Sequence, residues 1–95
     1  MAGYLYILAS RRHGTLYTGC TTDLPKRIYE HREGLVAGFT RQHAVKRLVH
    51  VETYDDIGDA IVRERRIKEW KRAWKLELIE RFKPGWRDLF DDLPA

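Results

Sequence analysis

The fold is decided by residues 3–20, which read GYLYILASRRHGTLYTGC. The first seven of them, Gly3–Ala9, are aromatic and aliphatic, a composition typical of a buried strand. A polar segment follows over residues 10–14, and Leu16–Cys20 has the composition of a second short strand. A connection of about five or six residues fits an antiparallel hairpin. The sequence therefore predicts two paired strands at the start of the fold.

After this hairpin, capping residues and hydrophobic stretches predict three helices and one more strand. Thr22 or Asp23 can cap a helix that accepts Pro25 in its first turn and stops at Gly34. The other elements are a strand over residues 46–54, a helix from about 57 to 71 and a helix from about 73 to 82. The order ββαβαα predicts a small three-stranded antiparallel sheet flanked by helices, an α/β or α+β domain.

The composition is that of one small folded domain. The chain has 95 residues, of which 43% are hydrophobic and 12% aromatic, which favours a packed core over disorder. A single cysteine excludes an intrachain disulfide. No stretch approaches the roughly 18 consecutive apolar residues of a membrane span. No basic segment precedes the apolar run near the N-terminus, so we expect a cytoplasmic protein that does not enter a membrane.

Charge is unevenly distributed along the chain. The last residues, 88–95, contain three of the 14 acidic side chains and neither lysine nor arginine. Residues 1–87 therefore hold 18 basic and 11 acidic side chains. We interpret 1–87 as the domain and 88–95 as a short acidic C-terminal tail. The basic excess favours a polyanionic partner, although a solvated basic surface has the same composition.

Strand periodicity places two tyrosines on one face of the hairpin. Side chains alternate across a strand, so Tyr6 lies on the face opposite Leu5 and Ile7, and Tyr17 shares a face with Gly19. Pairing of the two strands could bring both tyrosines together beside the glycine. Tyrosines in strands are more often packing residues with one hydrogen-bonded hydroxyl, so this pattern alone does not establish a site.

Arg27 and His31 are four residues apart and project from one face of the first helix. The arginine could extend into solvent or hold a phosphate with its planar guanidinium. The histidine could belong to a site or face solvent.

Glu64 occupies an unusual position for an acid. On a helix it lies within about 60° of Ile57, Ala60, Ile61 and Ile67, and therefore on the inward stripe. An unpaired carboxylate is costly there. We expect a partner, either an arginine such as Arg27, a hydroxyl or a metal ion.

Taken in order, these segments resemble the GIY-YIG nuclease superfamily. Tyr4-Leu5-Tyr6 is similar to its first motif, Tyr17-Thr18-Gly19 to its second and residues 23–31 to the helix with the catalytic arginine. Glu64 falls where the family places its metal-binding glutamate. Residues 39–41 (FTR) and 84–89 (PGWRDL) resemble the small stand-alone bacterial members, the YhbQ-like group.

The resemblance implies a metal-dependent endonuclease that acts on nucleic acid, DNA rather than RNA, in repair or recombination. It implies Mg²⁺ or Mn²⁺ as cofactor, with Glu64 as the metal ligand, and a repair protein as a further partner. It makes Tyr17 the candidate base and Tyr6 the residue that orients the nucleophile, with Arg27 and His31 beside them. The candidate nucleic-acid contacts are Gly19, Lys26, Arg41, Arg63 and Lys68.

Other interpretations fit the same sequence. Many relatives carry asparagine just before the C-terminal proline, where this chain has Lys83. The domain could thus be a catalytically weak or inactive nucleic-acid-binding module, or a docking module in a repair complex. The oligomeric state has no sequence signal.

Overall fold

A computed structural model describes residues 1–36 and 38–93 of the chain. Within these ranges the chain forms three strands, four α-helices and a short 3-10 turn at Phe90–Asp92. The elements are β1 (Gly3–Ala9), β2 (Leu16–Thr21), α1 (Leu24–Arg32), α2 (Phe39–Gln42), β3 (Arg47–Tyr54), α3 (Ile57–Glu69) and α4 (Arg72–Phe82). None of the described helices has the length and apolar character needed to cross a membrane.

The sheet is antiparallel and has the strand order β2-β1-β3. The first strand is thus central, and its side chains are buried along almost its whole length. In the register, Tyr6 lies opposite Gly19 of β2 and opposite Val51 of β3. The predicted fold class and three-stranded sheet are confirmed.

Helices cover both faces of the sheet and produce two hydrophobic cores. On one face, Leu5 and Ile7 pack with Ile67 of α3 and Ile79 of α4. On the other face, Tyr6 and Leu8 of β1 pack with α1 through Leu24 and Ile28. The alternation expected from the sequence is therefore the alternation observed, and it directs the Tyr6 side chain toward α1.

Aspartates cap the starts of α1 and α3, and Asp23 is one of the two residues expected to cap the first helix. The Asp23 side chain accepts a hydrogen bond from the Lys26 amide, and the Asp56 side chain accepts one from the Gly58 amide. The order ββαβαα was wrong in one respect, because it lacked α2. This helix is a single turn, too short for a hydrophobic repeat, and it begins after Gly38, whose φ is 103°.

The segment after α4 returns to the sheet. Trp86 is buried in the first core, and the Leu89 amide donates to the Leu48 carbonyl of β3 at 2.8 Å. Asp88 accepts a hydrogen bond from Arg32 of α1 at 2.6 Å. Residues 88–93 of the predicted acidic tail therefore pack against the domain. The last two residues of that tail, 94–95, lie outside the described residues.

Candidate active site

The hairpin brings the two predicted tyrosines together beside Gly19. The ring centroids of Tyr6 and Tyr17 are 6.4 Å apart. A Cβ atom added at Gly19 would lie 2.6 Å from the Tyr6 hydroxyl oxygen and 3.1 Å from a Tyr17 ring carbon. Glycine is required here because the tyrosines occupy the space above the strand, not because of its backbone angles.

His31 fixes the Tyr6 hydroxyl from α1. Its Nε2 lies 3.0 Å from the Tyr6 oxygen, and its Nδ1 lies 3.0 Å from the Thr40 hydroxyl of α2. The residue is only 1% exposed, so the solvent-facing interpretation of His31 was wrong. Burial lowers its pKa, as does the charge of Arg27, while Glu30 opposes the shift. The imidazole is therefore neutral at pH 7, with one nitrogen as donor and the other as acceptor.

Tyr6 remains protonated in this environment. Its pKa is raised well above its usual range, first by burial and then by the neighbouring Tyr17, Cys20 and Glu64, with Arg27 acting in the opposite direction. A phenol held in this state donates a hydrogen bond but does not accept a proton at neutral pH. The same interactions show that Arg27 and Glu64 lie close enough to Tyr6 to act on it electrostatically.

Arg27 stands at the open side of the site. Its guanidinium lies 3.5 Å from the Glu30 carboxylate one helical turn away, and its side chain is 42% exposed. An exposed pair of this kind is weak, typically below about 1 kcal/mol. The guanidinium is therefore free to exchange Glu30 for a stronger anion such as a phosphate.

Glu64 approaches the same region from α3. Its side chain is 17% exposed, and one oxygen lies 2.8 Å from the Lys68 ammonium. The other oxygen accepts a hydrogen bond from the Cys20 thiol of β2 at 3.2 Å. The inward position expected from the helical stripe is observed. Arg27, one of the partners that the sequence left open, is not the partner observed. Among the described residues Glu64 pairs with Lys68, because an (i, i+4) lysine reaches it along its own helix.

Burial and Glu64 together keep the Cys20 thiol protonated. The pKa of Cys20 is raised to about 11, first by desolvation and then by its hydrogen bond to Glu64 and by that residue's charge. Since the thiolate is the form that attacks electrophiles and binds metals, this cysteine is a hydrogen-bond donor at neutral pH.

The donor set suits a hard cation with few protein ligands. Residues 1–36 and 38–93 contain no cluster of three or more His, Cys, Asp or Glu side chains able to enclose a metal. Glu64 offers a single partly exposed carboxylate. Mg²⁺ commonly keeps several waters and takes only one or two protein carboxylates, so Glu64 alone fits such an ion.

The predicted nucleic-acid contacts do not all lie at this site. Gly19 and Lys68 are within it, and Arg41 is exposed on α2 next to Thr40. Lys26 is exposed in the first turn of α1.

Arg63 lies elsewhere. Its guanidinium donates two hydrogen bonds to Glu52 of β3, the opposite edge strand, and lies 5.0 Å from the Trp70 ring centroid. Arg63 therefore belongs to an ion pair with Glu52 at the β3 edge of the sheet and not to the candidate site.

Sequence reasoning missed two residues of the site. Thr40 completes the hydrogen-bond chain through His31, and Phe39 stacks on Tyr17 with ring centroids 6.4 Å apart and an interplanar angle of 26°. Phe39 is 45% exposed, so its ring forms part of the site surface. Their only signal was the FTR stretch, which has no periodicity that relates it to the hairpin.

Comparison with known proteins identifies relatives of this chain. The family model described as the GIY-YIG catalytic domain matches residues 2–77. A UPF0213 protein of Syntrophus aciditrophicus is 41% identical over 78 residues, covering 81% of this chain and 88% of that protein. One from Staphylococcus saprophyticus is 40% identical over 76 residues, covering 80% and 92%. One from Haloquadratum walsbyi is 40% identical over 77 residues, covering 81% and 85%.

A solved structure is also similar. The solution NMR structure of a UPF0213 protein from Bacillus halodurans matches with a TM-score of 0.58 at 32% identity, and the match covers 93% of each chain. The expected resemblance is confirmed along most of the chain.

Proposed function

The chain belongs to the GIY-YIG family, a nuclease family, and we propose that it is a metal-dependent endonuclease that hydrolyses phosphodiester bonds in nucleic acid, with DNA preferred over RNA. The observation that supports this proposal is the neighbourhood of Tyr6. Its hydroxyl contacts His31, its ring lies beside that of Tyr17, and the charges of Arg27 and Glu64 both act on it. These are the side chains needed to hold a phosphate, a cation and a water molecule together.

Glu64 would hold the cation, Mg²⁺ or Mn²⁺. A divalent ion bound there supplies stabilisation of negative charge on the phosphoryl group and the leaving oxygen. Arg27 provides a second positive charge from α1. Its exposure and weak pairing allow it to bind a non-bridging phosphate oxygen, where charge increases in the transition state.

The two tyrosines have different roles. Tyr6 is buried, remains protonated and is held by His31, so it orients the phosphate or the attacking water as a fixed donor. Tyr17 is half-buried, and its hydroxyl makes no hydrogen bond to the residues that the structure describes. Tyr17 is therefore the better candidate to take the proton of the attacking water.

His31 acts on Tyr6. It holds the hydroxyl in one direction, and Thr40 holds the imidazole in turn. This is a positioning chain, comparable to other sites in which a second hydrogen bond fixes the orientation of a histidine.

The alternative is a nucleic-acid-binding module with little catalysis. One observation favours it: Lys68 and Cys20 engage both oxygens of Glu64. The substitution at Lys83 does not add to that case. Lys83 lines a groove beside β3 together with His50 and Phe82, whereas Glu64 contacts Cys20 of β2 at the other edge of the sheet.

We further propose that the nuclease acts in DNA repair or recombination in the cytoplasm.

The test is cleavage of a panel of single-stranded, duplex, flapped and branched DNA and RNA with Mg²⁺, with Mn²⁺ or with chelator. We expect metal-dependent cleavage that is lost in Glu64→Ala. Glu69→Ala is the matched control, because it removes the same charge from an exposed position of α3. Binding without cleavage on every substrate would replace the enzyme with the binding module.

A further inference from the structure

The metal-ligand candidate Glu64 is occupied by the protein's own donors. The Lys68 ammonium lies 2.8 Å from Oε2, and the Cys20 thiol donates to Oε1 at 3.2 Å. The two donors differ in freedom. Cys20 is fixed in the sheet, whereas the Lys68 side chain is 52% exposed on a flexible stem.

A cation that binds Glu64 must compete with this lysine. The ammonium occupies one coordinating oxygen and also repels a doubly charged ion placed beside it. A nucleic-acid phosphate at the site offers the ammonium another anion, and the length and exposure of the lysine allow it to move. The carboxylate is then released for the cation while the phosphate gains a counter-ion.

We propose that Lys68 is an exchangeable counter-ion of Glu64 that weakens cation binding in the free protein and transfers to phosphate when nucleic acid binds. The inference rests on the proposed function, because it takes Glu64 as the cation ligand. Toward the cation Lys68 is a positioning residue, because it acts through Glu64, whereas toward nucleic acid it is a direct phosphate contact. Coupling of this kind is reciprocal, so nucleic acid strengthens cation binding by the factor by which the cation strengthens nucleic-acid binding.

The first measurement is binding of Mn²⁺ alone, followed by the electron paramagnetic resonance signal of the free ion. Lys68→Met is expected to bind Mn²⁺ about three- to tenfold more tightly than the wild-type protein, because a neighbouring positive charge is removed. Lys68→Arg keeps the charge and is expected to bind as the wild type does. Lys46→Met, which removes a lysine from an exposed position just before β3, is the matched control and should leave the affinity unchanged.

The second measurement is binding of a fluorescent oligonucleotide in chelator, where no metal-dependent cleavage occurs. Lys68→Met is expected to bind more weakly and to reduce the salt dependence by about one phosphate contact. Because Lys68 is exposed, we expect the Lys68 variants to fold. Thermal unfolding of each variant verifies this.

The outcomes separate the two proposals. If Glu64→Gln abolishes Mn²⁺ binding while Lys68→Met binds Mn²⁺ no more tightly than the wild type, the counter-ion role is overturned and the metal site stands. If neither wild type nor Lys68→Met binds Mn²⁺, the metal role of Glu64 fails and the counter-ion role fails with it. Tighter Mn²⁺ binding with an unchanged salt slope also overturns the exchange, because Lys68 then never reaches phosphate.

Discussion

Replacing Gly19 by alanine tests whether the tyrosine pair really fills the space above β2. The added methyl group would lie 2.6 Å from the Tyr6 oxygen and 2.7 Å from its Cζ atom, distances at which one group has to move. Tyr6 is 1% exposed, and its hydroxyl lies 3.0 Å from His31 Nε2. The Tyr6 ring therefore has no space into which it can move away from the added methyl group. The strain therefore remains in the folded state.

The size of the effect follows from two opposing contributions. Overpacking a rigid site costs about 1–3 kcal/mol of folding free energy. Alanine also restricts the unfolded chain, which returns about 0.4–1 kcal/mol. We expect a net loss of about 1–2 kcal/mol, and for a domain of this size each kcal/mol lowers the melting temperature by about 4–8 °C.

Gly85→Ala is the matched control. A Cβ atom at Gly85 meets nothing within 4 Å, so only the unfolded-state contribution remains and we expect no loss of stability. Urea unfolding of both variants measures the difference, and NMR of the His31 ring reports whether the Tyr6 contact survives. If Gly19→Ala unfolds at the wild-type urea concentration with an unchanged His31 signal, the packing argument for this glycine is refuted.

Three further predictions follow from the contacts. Arg27→Ala should lower cleavage by about two orders of magnitude and change stability by less than about 0.5 kcal/mol, because its only ion-pair partner among the described residues is the partly exposed Glu30. Measurements of kcat/KM and of urea unfolding separate the two effects. His31→Phe should cost about 1–3 kcal/mol in urea unfolding, since the Tyr6 and Thr40 hydroxyls lose their partner, and a wild-type midpoint would contradict this. Burial alone would raise the pKa of Glu52, but hydrogen bonds from His50, Arg63 and Tyr54 hold it at about 2. The pKa of Glu52 in the folded protein is thus below its unfolded value of about 4.5. Glu52 therefore contributes about 3 kcal/mol to the free energy of unfolding above pH 4.5, and this contribution is lost as the pH falls toward 2. Glu52→Gln should flatten this part of the stability–pH curve, and an unchanged curve would exclude Glu52 as the cause.

The strands and the long helices were predictable because each has a local signal. The apolar run Gly3–Ala9 is predicted as a strand, and the strand in the structure has the same bounds. Asp23 and Asp56 cap the helices that follow them. The single turn α2 has no such signal. The position of α2 depends on the hydrogen bond between Thr40 and His31. These residues lie in separate segments, and no sequence repeat relates the two segments.

The site was predictable in its members and not in its contacts. Strand alternation and helical spacing place Tyr6, Tyr17 and Glu64 on the correct faces, because these depend only on local periodicity. The burial of His31 and the pairing of Arg63 with Glu52 depend on which elements meet across the sheet. The Lys68 partner of Glu64 has a local signal, the (i, i+4) spacing, whereas Arg27, a partner that the sequence left open, lies on another helix.

Glu52 and Glu64 show how a structure distinguishes a structural carboxylate from one available to a ligand. Glu52 receives two hydrogen bonds from the rigid guanidinium of Arg63 and further ones from His50 and Tyr54, so any incoming cation would have to break several fixed contacts. Glu64 is held by a flexible lysine and one thiol. Arg63 and Glu64 are adjacent on α3, and their side chains point about 100° apart around the helix. The Arg63–Glu52 pair therefore joins α3 to β3, while Glu64 contacts Cys20 of β2. A cation that binds Glu64 therefore displaces fewer fixed contacts than one that binds Glu52, because the Lys68 side chain is flexible and half exposed.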